Sequence, residues 1–274
     1  MSKALNTTGH AGPCKSPVAK RSKLQLADLQ DLFSGQRLAI VIPQYFDAKT
    51  VAALAKRIEQ SGQLGAYSSG LNSNEVLKIG QTLYECDTPE KVAEYFALAK
   101  SHEEPLRYIA AGLPLPIDRV IEDLNYLWPK GAGVLKIDGQ RTFAGLLRGF
   151  NQAGEARPHT DRADWDLPTP TTLALKGQFA GNLYLSNPRG GGALQLWWMK
   201  PDRSTYQAMQ VSGDYSLQRE ILGRPAAVIH PKPGDLVLFN AWRPHAVTAS
   251  TGLRIAQSWF VGYRGESQAL GLFS

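Results

Sequence analysis

Cysteine is nearly missing: the 274 residues include Cys14 and Cys86 and no others, which permits one disulfide at most and no Cys-x-x-Cys pair. A disulfide scaffold and a thiolate metal cluster are excluded, and a reducing cytoplasm is the expected compartment. No apolar run approaches the roughly 20 residues that cross a bilayer, and no signal-peptide core is present, so neither a membrane location nor export is expected. Arg189-Gly190-Gly191-Gly192 leads into a β-like run rather than a Gly-Lys-[Ser/Thr] helix start, which removes a phosphate-cradling loop. The sequence also has no Gly-x-Ser-x-Gly elbow to support a nucleophilic hydrolase.

Acid is missing from the first 23 residues, which carry Lys3, Lys15, Lys20, Arg21 and Lys23. The rest of the chain then has 25 of the 30 basic residues against 24 acidic ones, so +5 of the net charge of +6 sits on this segment. No broad phosphate-binding surface is implied, and nucleic acid is not an expected partner. Rich in Gly, Pro, Ser and Thr, residues 1–23 are expected to be a disordered tail ahead of one domain over 24–274.

What is present divides in two. Residues 24–130 read as helical: apolar positions 24, 26, 29, 32 and 33 ahead of Gly35, then Asp47 capping a helix through Val51, Leu54 and Ile58 to Ser61-Gly62. Thr88-Pro89-Glu90 starts a further helix, Pro105 another, and Pro116 a third whose face is Ile117, Val120, Ile121, Leu124 and Leu127. One short buried strand, Leu38 to Ile42, interrupts them. From 131 onward the runs are short and β-like, among them Phe143 to Phe150, Phe179 to Leu185, Ala193 to Trp198, Leu236 to Phe239 and Arg254 to Tyr263. Helices first and strands later imply an α+β fold, with the helices supporting a β-sandwich or barrel over 131–274.

Within the β half, Arg157-Pro158-His159-Thr160-Asp161 carries a His-x-Asp pair. On extended backbone, residues two apart face the same side, so the imidazole and the carboxylate converge. His245, 84 positions beyond Asp161, adds a second imidazole, and Arg254 follows nine positions later. Two histidines and one carboxylate on one face of an ion leave its other face open, the arrangement of non-haem Fe(II) oxygenases. Arg254 adds a planar cationic fork suited to a carboxylate. Its strand face continues through Ala256, Ser258 and Phe260, so Ser258 is a further candidate contact, and Arg148 on the preceding strand is a candidate for holding co-substrate or substrate. Trp165, in the loop after the His-x-Asp pair, is expected to face substrate. Asp164 and Asp166 lack the one-residue gap from His159 and read as loop or substrate contacts, while His10 and His102 read as solvated surface residues and His230, just before Pro231, as within reach of the site but not one of its residues.

In this ordered set the sequence resembles the Fe(II)/2-oxoglutarate-dependent dioxygenase superfamily, whose pattern is His-x-Asp, a distal His and an Arg. The likeness runs from Phe143 to Ser274 and includes Gly191-Gly192-Ala193-Leu194 and Lys232-Pro233-Gly234-Asp235. It implies a double-stranded β-helix, the jelly roll of cupins. It also implies Fe(II) on His159, Asp161 and His245, and 2-oxoglutarate with its far carboxylate on Arg254. O2 is the other co-substrate, and succinate and CO2 are released. Small bacterial members acting on amino acids or natural-product scaffolds are the nearest type, so a small-molecule substrate is expected. In halogenating members a small residue replaces the acid of the pair. Asp161 therefore favours hydroxylation, with desaturation and cyclisation by the same core as alternatives. Nucleic-acid demethylases of the family carry a second Arg six positions after the first, where this chain has Phe260, and many members carry a Ser at the position of Ala256. A cupin-like metal-binding module is the non-enzymatic alternative. The turn Ala249 to Gly252 is expected to fold the strands of His245 and Arg254 antiparallel to each other.

Overall fold

The structure is a computed structural model that describes residues 15–66, 76–166 and 174–274. Its first part runs β1 (Val18–Lys20), α1 (Leu26–Ser34), β2 (Ala39–Ile42), α2 (Ala48–Ser61), β3 (Gly65–Ala66), β4 (Val76–Ile79), α3 (Pro89–Leu98), α4 (Glu104–Ala110) and α5 (Pro116–Leu127). There follow β5 (Ala132–Val134), β6 (Lys136–Ile137), β7 (Gln140–Arg141), β8 (Leu146–Phe150), β9 (Ala156–His159), α6 (Ala163–Asp166) and β10 (Gly177–Ser186). The last part is β11 (Leu194–Leu196), α7 (Arg203–Met209), α8 (Arg219–Leu222), β12 (Ala227–Ile229), β13 (Leu236–Asn240), β14 (His245–Val247), β15 (Arg254–Tyr263) and β16 (Leu270–Phe273).

The helices form where local chemistry dictates. Asp47 Oδ1 accepts from Thr50 N at 2.9 Å to start α2, and Gly62 ends it with φ 63°, a left-handed conformation that costs glycine nothing. Thr88 caps α3 by accepting from Lys91 N at 3.3 Å, and Pro89 sits where its missing N–H is harmless. Apolar spacing then sets which face is buried: Leu29 and Leu32 of α1 and Val51, Leu54 and Ile58 of α2 lie in the core. Both helices pack against β10, and α5 packs against β15.

Ten strands make a large mixed sheet in the order β1-β2-β13-β10-β15-β8-β4-β3, with β16 pairing β15 and β5 pairing β16. A smaller sheet has the order β12-β11-β14-β9. A cavity lies between them. Arg148, Phe150, Asn182 and Arg254 of the large sheet line one wall, and His159, Leu194 and His245 of the small sheet line the other. Counting the open solvent at its mouth it measures about 610 Å³. Among the described residues no helix is long and apolar enough to cross a membrane.

Three expectations are corrected. The expected disordered tail does not extend to residue 23: Val18–Lys20 pairs in parallel with Ala39–Val41, Lys15 Nζ meets Asp31 at 2.6 Å, and Arg21 Nε meets Asp28 at 3.0 Å. Those basic residues neutralise acids buried on α1, which a charge count along the chain does not reveal; residues 1–14 lie outside the described ones. Nor is the part before residue 131 only helical support, because β1, β2 and β4 complete the large sheet. Finally, β14 and β15 are not paired. The turn after β14 carries the chain from the small sheet to the large one, so Arg254 approaches His245 across the cavity rather than along a hairpin.

Candidate metal centre

His159 ends β9, the edge strand of the small sheet, where Pro158 removes no needed ladder donor and its carbonyl instead accepts from Leu217 N at 2.7 Å. His245 opens β14 and is the direct cross-strand partner of His159, with ring centroids 4.4 Å apart. Each ring is fixed in the same way. His159 Nδ1 lies 2.6 Å from Arg157 O and His245 Nδ1 lies 3.0 Å from Arg243 O. A carbonyl can only accept, so both Nδ1 atoms carry the proton and both Nε2 atoms present lone pairs.

Asp161 supplies the third donor from just beyond the strand. His245 Nε2 lies 3.1 Å from Asp161 Oδ2, His159 Nε2 lies 3.7 Å from Oδ1, and the ligand atoms of the three residues all fall within 4.8 Å of one another. Asp161 is held by its backbone: its N–H donates to Ala241 O at 2.9 Å and its carbonyl accepts from Gln178 Nε2 at 3.2 Å. Gln178 Oε1 in turn accepts from Ala163 N at 3.2 Å, and Nε2 also donates to Tyr84 Oη at 3.3 Å. One buried amide therefore ties the Asp161 carbonyl to the Ala163 N–H and splints the turn that follows the ligand.

Burial, helped by His245, pushes the His159 pKa down to about 4. Burial alone would raise the Asp161 carboxyl, but the adjacent His159 and His245 outweigh it and hold the pKa at about 2. A neutral imidazole and an ionised carboxylate are the forms that bind a cation. Bonds of roughly 2.1 Å at right angles put neighbouring donors about 3 Å apart, close to the separations found here. Two nitrogens and an oxygen on one side of an ion match the donor set of a non-haem iron site, so the residues fit such a metal.

Arg254 opens β15 on the opposite wall. It is 3% exposed, its Cζ lies 4.9 Å from the ring centroids of both Phe150 and Tyr184, and its Nε has no hydrogen-bond partner among the described residues. Gly192 gives it room, since a Cβ there would stand 3.2 Å from Arg254 Cδ. Among the described residues lining the cavity, Asp161 is the one acidic side chain.

The other expected residues divide. Arg148 and Ser258 line the same cavity. Ser258 lies four residues along β15 from Arg254, a rise of about 13 Å on a strand, whereas the guanidinium sits level with Phe150 and Tyr184. Trp165 stands outside the cavity lining, 6.0 Å from the Tyr206 ring, with Arg162 held between its indole at 4.0 Å and that of Trp242 at 3.8 Å. Asp164 is occupied by Arg162 at 2.9 and 2.7 Å. His230 is exposed and outside the cavity, and His102 is partly buried between Tyr95 and Phe143 rather than solvated. Gln178, Asn182 and Phe239, whose ring lies 4.9 Å from that of His245, were not apparent from the sequence. Strand alternation marks their faces, and only sheet order brings them to the site.

No protein-family model matches the sequence, and no curated protein does. Solved structures do. An N-substituted L-amino acid dioxygenase from Burkholderia ambifaria is 18% identical, with a TM-score of 0.63 and 91% of each chain covered. The structure of such a dioxygenase from the same organism in complex with alpha-ketoglutarate gives 19%, 0.59 and the same coverage. The chain shares this dioxygenase fold. At such identity the likeness carries the fold alone, and the chemistry rests on the site.

Proposed function

We propose that this protein is an Fe(II)/2-oxoglutarate-dependent dioxygenase that hydroxylates a small molecule. One observation carries the reading: two imidazoles and a carboxylate, their ligand atoms within 4.8 Å of one another, share one cavity with the buried Arg254, whose Nε has no hydrogen-bond partner among the described residues. His159, Asp161 and His245 hold the ion, with imidazoles fixed in the ligating tautomer by Arg157 O and Arg243 O. Bound there, ferrous ion supplies the activation of O2, coupled to conversion of 2-oxoglutarate to succinate and CO2. Arg254 takes the far carboxylate of the co-substrate, a role for which a buried, preorganised fork is suited. The Phe150 and Tyr184 rings, 4.9 Å from the guanidinium, give that ion pair an apolar setting, which strengthens it.

Arg148 and Ser258 contact co-substrate or substrate from the same wall, and Trp165 belongs to the rim that substrate passes. The two facing sheets form the double-stranded β-helix of a single domain, which takes in the strand Val18–Lys20 and works in the cytoplasm. The similar enzyme's N-substituted L-amino acids make free amino acids and their derivatives the first substrate class to test.

The test is direct. Anaerobic addition of Fe(II) and 2-oxoglutarate is expected to give a weak visible charge-transfer band, and air then yields succinate, faster with the right amino acid present. A cupin-like binding module gives neither, and that outcome overturns the proposal.

A further inference from the structure

Asp161 and His245 come from distant stretches of the chain, and their donors converge only while the two turns that carry them keep a fixed separation. Three consecutive residues ahead of His245 make the connection. Ala241 O accepts from Asp161 N at 2.9 Å, and Arg243 O fixes the His245 ring. Between them, the Trp242 indole lies against the guanidinium of Arg162, the residue after Asp161.

Arg162 is enclosed on its other sides as well. Its Cζ lies 3.8 Å from the ring centroid of Trp242 and 4.0 Å from that of Trp165, and its Nε and Nη2 donate to Asp164 at 2.9 and 2.7 Å. It is 8% exposed and lies outside the cavity lining. Asp164 neutralises the guanidinium, so it adds little repulsion toward a cation held one residue away. What remains is a rigid plane held between two indoles, a contact that strengthens as the cation leaves water. Arginine alone can stack in this way while its edge holds a carboxylate; lysine brings the charge without the plane.

We propose that Arg162 is a positioning residue for the metal: stacked between Trp165 and Trp242, it staples the turn of Asp161 to the turn of His245 and holds their donors at ligating separation. The inference rests on the metal-centre reading above and goes beyond it, because it assigns the geometry of that pair to a stack outside the cavity. Groups that orient ligands without touching the ion set its affinity, so loss of the stack weakens metal binding by a protein that is still folded.

The wild type, Arg162→Gln, Arg162→Lys and Trp165→Leu are titrated with Co(II), a divalent ion whose visible bands report its binding, well below the unfolding temperature of each metal-free protein. Kd is expected to rise about tenfold in both Arg162 variants. In Trp165→Leu, which uncovers one face of the guanidinium, the expected rise is about threefold. Trp165 is half-buried at the rim, so its replacement leaves the core intact and decides the question if the Arg162 variants fail to fold. Wild-type Kd in Arg162→Gln or Arg162→Lys, or in Trp165→Leu where those do not fold, overturns the role of Arg162 even if the variant melts lower. A wild type that binds no Co(II) overturns the reading of the site itself, a distinguishable failure.

Discussion

His159 and His245 face each other directly across β9 and β14, with ring centroids 4.4 Å apart. Residues 86 positions apart (245 − 159) thus become one facing pair through the register of two short strands. Each ring is turned by the carbonyl two residues before it, so the pair is aligned by its own backbone before any ion arrives.

Removing the carboxylate between them should abolish the site without unfolding the protein. Asp161→Ala is expected to weaken Fe(II) binding by at least about 100-fold while the protein in chelator still unfolds in one cooperative transition, somewhat below wild type, since the loop remains held through the Asp161 backbone and Gln178. Equilibrium dialysis against Fe(II) without oxygen gives the first quantity and calorimetry the second. Retained affinity removes Asp161 from the ligand set.

Arg254 should matter for co-substrate and not for metal. Arg254→Gln is expected to lose roughly 2–5 kcal/mol of 2-oxoglutarate binding, at least about thirtyfold in Kd, because it leaves a buried carboxylate without its cation. Metal content should not change. Anaerobic calorimetric titration measures the first; a variant binding 2-oxoglutarate as tightly as the wild type contradicts the assignment.

Gln178, 1% exposed, touches no ligand atom and still sets the position of one. Gln178→Ala frees the loop of Asp161, and the expected loss in metal affinity is about tenfold, in the range of outer-shell substitutions. A fall in stability with metal affinity intact would make Gln178 a core residue only.

Acid should destabilise the metal-free protein through His159. Its pKa is held at about 4 in the folded chain against 6.5 when free, so between these values the unfolded chain binds a proton that the folded one refuses. Stability then rises with pH from about 4 to 6.5 and levels off above, by up to about 3 kcal/mol from this group. Asp161, with its carboxyl held at about 2, contributes stability present above its unfolded value and lost as pH falls through 2. Urea melts in chelator across this range should show the slope in wild type and a flatter one in His159→Gln. Parallel curves would separate His159 from the acid sensitivity.

Much was legible because it is local. Asp47 and Gly62 bracket α2 by hydrogen bonding and backbone freedom within a few residues, and apolar spacing marks the buried faces of α1, α2 and α5. His159, Asp161, His245 and Arg254, which the fold gathers in one cavity, could be singled out for another reason: few residue types suit a metal ion or a dicarboxylate, so their order along the chain is informative by itself. What stayed hidden depends on neighbours remote in sequence. Lys15 and Arg21 looked like solvated tail charge until α1 brought Asp31 and Asp28 to meet them.

The sequence by itself determined the helices, the strand-rich second half and the four residues with the scarcest chemistry. Only the tertiary structure decided that β14 and β15 lie in opposite sheets, that Gln178 splints the loop of Asp161, and that Tyr184 stands opposite Ala256 beside Arg254. Strand alternation gives each residue a face, but sheet order and register, fixed by burial of the whole core at once, choose what that face meets.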